Sequence, residues 1–156
     1  MSAPAAPSRP FRRRVAIQAT LRDTDGVGHV NNAVHVSWIE EARTAYAFER
    51  RGLTDIGQLD FILASVQVDY RAPVLLHEVV DVWYAPSRIG AKSWEMVYEG
   101  RARRDGRLLF EARSTQVQYD YASARTVPIP ATWRKLLEED LLAPRDDRSD
   151  DGGHER

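Results

Sequence analysis

Apolar and polar residues alternate from Arg14 to Arg22, with Val15, Ile17, Ala19 and Leu21 on one side and Arg14, Gln18, Thr20 and Arg22 on the other. A period of two marks a half-buried strand. From Asn32 to about Arg51 the rhythm becomes i, i+3, i+4 through Val34, Trp38, Ile39, Ala42, Ala45, Tyr46 and Ala47, with no Gly or Pro. That spacing predicts one long helix, and Gly52 is a fitting stop. Alternation then returns around Val66–Tyr70, Val80–Tyr84 and Trp94–Tyr98. Asp105-Gly106 predicts a hairpin turn into a strand from about Leu108 to Tyr119. No helix-length segment separates these later strands, so they are expected to pair antiparallel. A short amphipathic helix near Pro130 to Leu142 closes the pattern. One long helix against a mostly antiparallel sheet of about five to six strands is an α+β arrangement.

At the ends the patterning fades. Residues 1–10 are rich in Pro and Ala and are expected to be a disordered leader. Residues 144–156, with Asp146, Asp147, Asp150 and Asp151, are expected to be a disordered polar tail. Residues 11–143 then form one domain, a length able to enclose an ordinary core. A net charge of −1 gives no electrostatic reason to expect nucleic acid or an anionic membrane as partner. No apolar run approaches a membrane span. The start, Met1 to Pro10, lacks the apolar stretch of a secretory signal, so a cytoplasmic location is expected. With no cysteine at all, disulfides, thiolate metal sites and a Cys nucleophile are excluded.

Between the first strand and the long helix lies the densest cluster of polar, turn-forming residues, Arg22-Asp23-Thr24-Asp25-Gly26-Val27-Gly28-His29-Val30-Asn31-Asn32. Asp, Asn and Gly favour turns, and Asn31 or Asn32 suits a helix N-cap. A helix N-terminus also presents free backbone N–H groups, so the same residues can form a site. Several familiar sites fail on spacing. A calcium loop beginning at Asp23 would have Val27 and Val34 where acidic or amide ligands are required. Gly26-x-Gly28-x-x-Asn31 lacks the third glycine of a dinucleotide loop and the βαβ unit around it. His29, His35 and His77 have no i, i+4 ligand spacing, and no metal or other cofactor is expected. No Gly-x-Ser-x-Gly elbow is present.

Asp23-Thr24-Asp25-Gly26-Val27-Gly28-His29-Val30-Asn31-Asn32, followed by Trp38-Ile39-Glu40-Glu41-Ala42-Arg43, resembles the 4-hydroxybenzoyl-CoA thioesterase-like branch of the hotdog superfamily. It is also similar to the His-Val-Asn-Asn segment of plant acyl-ACP thioesterases. The resemblance continues at Val68-Asp69-Tyr70-Arg71-Ala72-Pro73 and Val127-Pro128-Ile129-Pro130, covering about residues 12 to 137. It implies a hotdog fold and hydrolysis of acyl-CoA or acyl-ACP thioesters. It makes Asp25 the catalytic carboxylate, as nucleophile or as general base on water. A thioester expels a thiolate whose conjugate acid has a pKa of about 8.5, so little leaving-group protonation is needed. The resemblance also makes Gly28, His29, Val30, Asn31 and Asn32 candidate substrate-binding and oxyanion residues, with backbone N–H groups at the positive end of the helix dipole.

Asp23 is expected to bond backbone N–H groups in the turn, and Glu40 with Arg43 to form a local i, i+3 ion pair. Trp38, Trp83 and Trp94 are expected in the core or an interface. Asn32 falls where many relatives have His, and His35 where many have Tyr. The resemblance also implies a homodimer or homotetramer. The competing readings are a non-catalytic hotdog module that binds acyl-CoA or assembles with partners, and a hotdog dehydratase or hydratase.

Overall fold

The computed structural model describes residues 3–144. A curled antiparallel sheet wraps the long helix, as the alternating and helical stretches predict. Strand β1 (Arg13–Gln18) leads through a short turn to helix α1 (Asn32–Arg51). Then come β2 (Phe61–Tyr70), β3 (Val79–Ile89), β4 (Ser93–Ala102), β5 (Leu108–Asp120), the short β6 (Arg125–Thr126) and helix α2 (Ala131–Glu139). Sheet order is β1-β3-β4-β5-β2, with β6 on the far end of β5, among the described residues. This is the hotdog arrangement, an α+β fold.

Helix α1 starts and stops where its sequence says it must. The Asn31 side chain accepts a hydrogen bond from the Ala33 N–H at 2.9 Å, satisfying one of the donors left free at a helix start. At the other end Gly52 takes a left-handed conformation, φ 64°, and its N–H closes on the Phe48 carbonyl. Arg50 and Arg51 occupy the last turn, where the helix dipole favours cations. The face of α1 carrying Trp38, Ile39, Ala42, Tyr46 and Ala47 packs on Val80, Val82, Tyr84, Trp94, Met96 and Tyr98 of the sheet. Trp133 and Leu137 of α2 seal the open end, with Trp133 against Tyr46 and Trp94.

Two features of the packing bear on the site. Gly100 of β4 sits directly beneath the Phe110 ring, so a Cβ there would lie 2.1 Å from a ring carbon. Phe110 in turn stands edge-on to His35, with ring centroids 5.2 Å apart.

The N-terminal segment makes specific contacts with the sheet. The Ala5 N–H donates to Asp81 Oδ2 at 3.0 Å, and the Trp83 indole N–H donates to the Ala5 carbonyl at 3.0 Å. The Ser8 N–H and hydroxyl both donate to the Glu99 carboxylate. Ala5 and Ser8 thus strap this segment across the outer face of β3 and β4. The physical reason is charge: Asp81 and Glu99 are buried, and buried carboxylates require donors. Burial alone would raise the Asp81 pKa, but Arg103, the Ala5 N–H and Arg14 outweigh it and hold the carboxyl below its ordinary value. Apart from Pro144, the expected polar tail lies outside the described residues.

Candidate active site

The junction between β1 and α1 is a closed loop held by its own backbone. Asp23 Oδ2 accepts from the Thr20 N–H and the Thr20 hydroxyl, both at 2.7 Å. The Asp23 carbonyl accepts the Asn31 N–H at 2.8 Å, tying the start of the loop to the start of the helix. Between them the Asp25 N–H donates to the His29 carbonyl, and Gly28 turns the chain with φ 81°. A positive φ suits Gly, which has no Cβ to clash.

Within that loop Asp25 is fixed by one oxygen only. Oδ1 accepts from the Val27 N–H at 2.9 Å and the His29 N–H at 3.3 Å. Oδ2 has no hydrogen-bond partner among the described residues. The carboxylate is thus oriented by the loop while its second oxygen stays available. It borders a cavity of about 320 Å³. His29, Val30, Asn32 and His35 line the helix side, and Tyr70, Arg71, Ala72, Pro73 and Val74 form the opposite wall.

Four of the five expected backbone donors are engaged in hydrogen bonds. The Gly28 N–H is spent on the Asp25 carbonyl, the Val30 N–H on the Val74 carbonyl and the Asn31 N–H on the Asp23 carbonyl. The His29 N–H is spent on Asp25 Oδ1. Three of these bonds close the loop on itself, and the Val30 bond ties it to Val74. Asn32 opens α1, and its N–H alone of the five meets no acceptor among the described residues. The cavity gathers Asp25, His29, Val30 and Asn32, and Gly28 and Asn31 do not line it.

His35 is buried one turn into the helix, with its Nδ1 3.3 Å from the Asn31 carbonyl. Burial pushes its pKa below 6.5, partly offset by the Asn31 and Asn32 carbonyls. Burial thus favours the uncharged ring. It stacks edge-on against Tyr70, centroids 5.0 Å apart, and the Tyr70 hydroxyl donates to the Asn32 carbonyl at 2.7 Å. Tyr70 to Val74 were not singled out as site residues by the sequence. The end of an alternating run at Pro73 marks a strand end, but the bridge of His29 to Leu75 that brings it to the site joins residues 46 apart.

Two further expectations resolve here. Glu40 is exposed while Arg43 is buried and faces the Tyr98 hydroxyl, so the expected pair does not form among the described residues. Trp38 and Trp94 lie in the core, and Trp83 is half-buried on the outer sheet face beneath the N-terminal strap. Among the described residues no group of three His, Asp or Glu side chains is arranged to hold a metal ion. No helix among them is long and apolar enough to cross a membrane.

The pattern of the thioesterase-like superfamily matches residues 19–142. A thioesterase from Thermus thermophilus, solved in complex with coenzyme A and zinc, is 30% identical. It aligns over 84% of this chain and 94% of its own, with a TM-score of 0.73. A predicted thioesterase from Bacillus stearothermophilus is 26% identical over 85% of this chain and 98% of its own, with a TM-score of 0.78. In Bacillus subtilis the uncharacterised protein YsmA is 27% identical over 135 residues, 86% of this chain and 87% of its own.

Proposed function

Because the chain belongs to the thioesterase-like superfamily, we propose that it hydrolyses the thioester of acyl-CoA, or of an acylated carrier protein, to free acid and thiol at the cavity beside Asp25. Thioester hydrolysis is the activity of the family; the substrate and the residues that carry it are the proposal. The observation that carries it is that one cavity joins an oriented carboxylate with a free oxygen, Asp25 Oδ2, and a helix N-terminal amide with a free proton, Asn32 N–H. The complex of the Thermus protein with coenzyme A supports CoA as the thiol carrier.

The chemistry needs little more. The acyl carbonyl oxygen accepts from the Asn32 N–H, where the helix dipole stabilises negative charge. Asp25 Oδ2 takes a proton from a water attacking the carbonyl carbon, or attacks that carbon itself and forms a mixed anhydride that water then opens. Either way the tetrahedral oxyanion collapses by breaking the C–S bond, and CoA leaves as thiolate. One donor is a modest oxyanion site. Asn32 lines the same cavity, and its side-chain amide is a candidate second donor.

A homodimer belongs to the same proposal. Strand β2 is an unpaired sheet edge, with Leu63 and Tyr70 exposed along it, and a second copy satisfies both its backbone groups and its apolar side chains.

The deciding experiment is Asp25→Asn, which keeps the hydrogen bonds of Oδ1 and removes the ionised oxygen. Thioesterase activity is expected to fall at least about a hundredfold, in the range of general acid–base contributions, with an unchanged unfolding curve. Activity near wild type would remove Asp25 from the mechanism. Acyl-CoA binding by the wild-type protein with no hydrolysis across short, long and aromatic acyl groups would favour the non-catalytic reading.

A further inference from the structure

Helix α1 and the edge strand β2 lie side by side and run in opposite directions. At one end the Tyr70 hydroxyl holds the Asn32 carbonyl. At the other, Phe61 and Arg43 line a second cavity, of about 650 Å³, a size typical of small-molecule sites. Its wall is largely apolar, from Ile56, Leu59 and Leu63, with the exposed Tyr121 at its mouth. Between the two cavities Val66 and Val68 of β2 are partly buried against the core.

Arg43 is the anomaly in this cavity. It is only 7% exposed, yet no carboxylate pairs with it among the described residues. A buried cation without a counter-ion is costly, and proteins pair such charges. The group facing it is the Tyr98 hydroxyl, which shares a 2.7 Å hydrogen bond with Ser114. Burial pushes the Tyr98 pKa to about 12, so that hydroxyl stays neutral and is not the missing anion. Glu40 also reaches the cavity, but from its exposed rim, where solvent screens its charge. A guanidinium in this setting matches a carboxylate in charge and in fork geometry.

Resting on the thioesterase reading above, we infer that the cavity at Arg43 receives the far end of the acyl chain, and that the enzyme prefers acyl groups ending in a carboxylate. Arg43 is eleven residues beyond Asn32, which at 1.5 Å per residue places it about 16 Å along the helix from the thioester. Its side chain leans back toward the N-terminus and shortens that reach. The match is to a medium or long ω-carboxyacyl group rather than a short one. The thioester sits at Asp25, the chain follows the β2 seam, and Arg43 binds the terminal carboxylate.

Titration calorimetry on the full-length Asp25→Asn protein tests this without turnover. The probes are dodecanoyl-CoA and the CoA monothioester of dodecanedioic acid. The dicarboxylic probe is expected to bind at least about tenfold tighter, the scale of a charge-assisted hydrogen bond. Adding Arg43→Gln removes that preference, and Arg43→Lys retains most of it. Equal affinities in the Asp25→Asn protein, or a preference that survives Arg43→Gln, would overturn the inference. If Arg43→Gln does not fold, competition decides: free dodecanedioate must displace bound dodecanoyl-CoA better than dodecanoate does. A carboxylate of a second copy seated at Arg43 would give equal affinities for the two probes and a dimer weakened by Arg43→Gln, which also overturns it. Absence of hydrolysis with every acyl-CoA would overturn the activity proposed above, while these affinities would still decide the role of Arg43.

Discussion

Replacing Gly100 with Ala probes how tightly the sheet supports the site. A Cβ on Gly100 would lie 2.1, 2.5 and 2.6 Å from three carbons of the Phe110 ring. Ordinary contact begins near 3.4 Å, so the nearest carbon must retreat by about 1.3 Å. Phe110 has no free space to retreat into: it is fully buried, and its ring already meets His35 edge-on. Overpacking of this kind costs typically about 1–3 kcal/mol, and a ring clash on three atoms belongs at the upper end. For a chain of this size ~3 kcal/mol corresponds to a fall in Tm of roughly 6–12 °C. Urea unfolding followed by tryptophan fluorescence measures it. The double variant Gly100→Ala/Phe110→Leu should be less unstable than the sum of its single changes, because the smaller side chain vacates the space that the new methyl enters. A Gly100→Ala protein within about 0.5 kcal/mol of wild type, the spread of ordinary surface changes, would refute the packing argument.

His35 gives a pH dependence. Its folded pKa lies below the unfolded 6.5, so the unfolded chain binds the proton more readily and stability falls as pH drops through and below 6.5. Unfolding free energies measured at several pH values should show that loss, and His35→Gln should flatten it; an unchanged slope would exclude His35 as its source. Asp81→Asn leaves Arg14 and Arg103 without their buried counter-ion, and a cost of about 3 kcal/mol is expected in denaturant unfolding. A cost below about 1 kcal/mol would show that the outer-face charges are solvated instead. Asn31→Ala removes the α1 cap and should cost about 1 kcal/mol. Single turnover in ¹⁸O-water separates the two routes at Asp25: attack by water places the label in the first product acid, whereas attack by the carboxylate can leave the label on Asp25.

The extent of α1 was legible because its limits are local: an uninterrupted i, i+3, i+4 run, an Asn cap and a Gly in the left-handed stop. Strand alternation and the Asp105-Gly106 turn were legible for the same reason. What the sequence hid depends on distant partners. Which amides of the 23–32 loop remain free was decided partly by the Val74 carbonyl, more than forty residues away, and the opposite wall of the site arrives by the same route. The i, i+3 spacing of Glu40 and Arg43 suggests a local ion pair. Yet Arg43 stands four residues after Ile39 and three before Tyr46, on the stripe that α1 buries. Family resemblance named Asp25, but only the loop geometry separates its anchored oxygen from its free one.

The N-terminal strap has a consequence in time. Ala5 and Ser8 meet Asp81 and Glu99, partners 76 and 91 residues later in the chain. At the roughly 5–20 residues per second of protein synthesis, Ser8 leaves the peptidyl-transferase centre about 5–18 s before Glu99 exists. This segment is thus made well before its partners. The two buried carboxylates acquire their last donors only after β3 and β4 have been made.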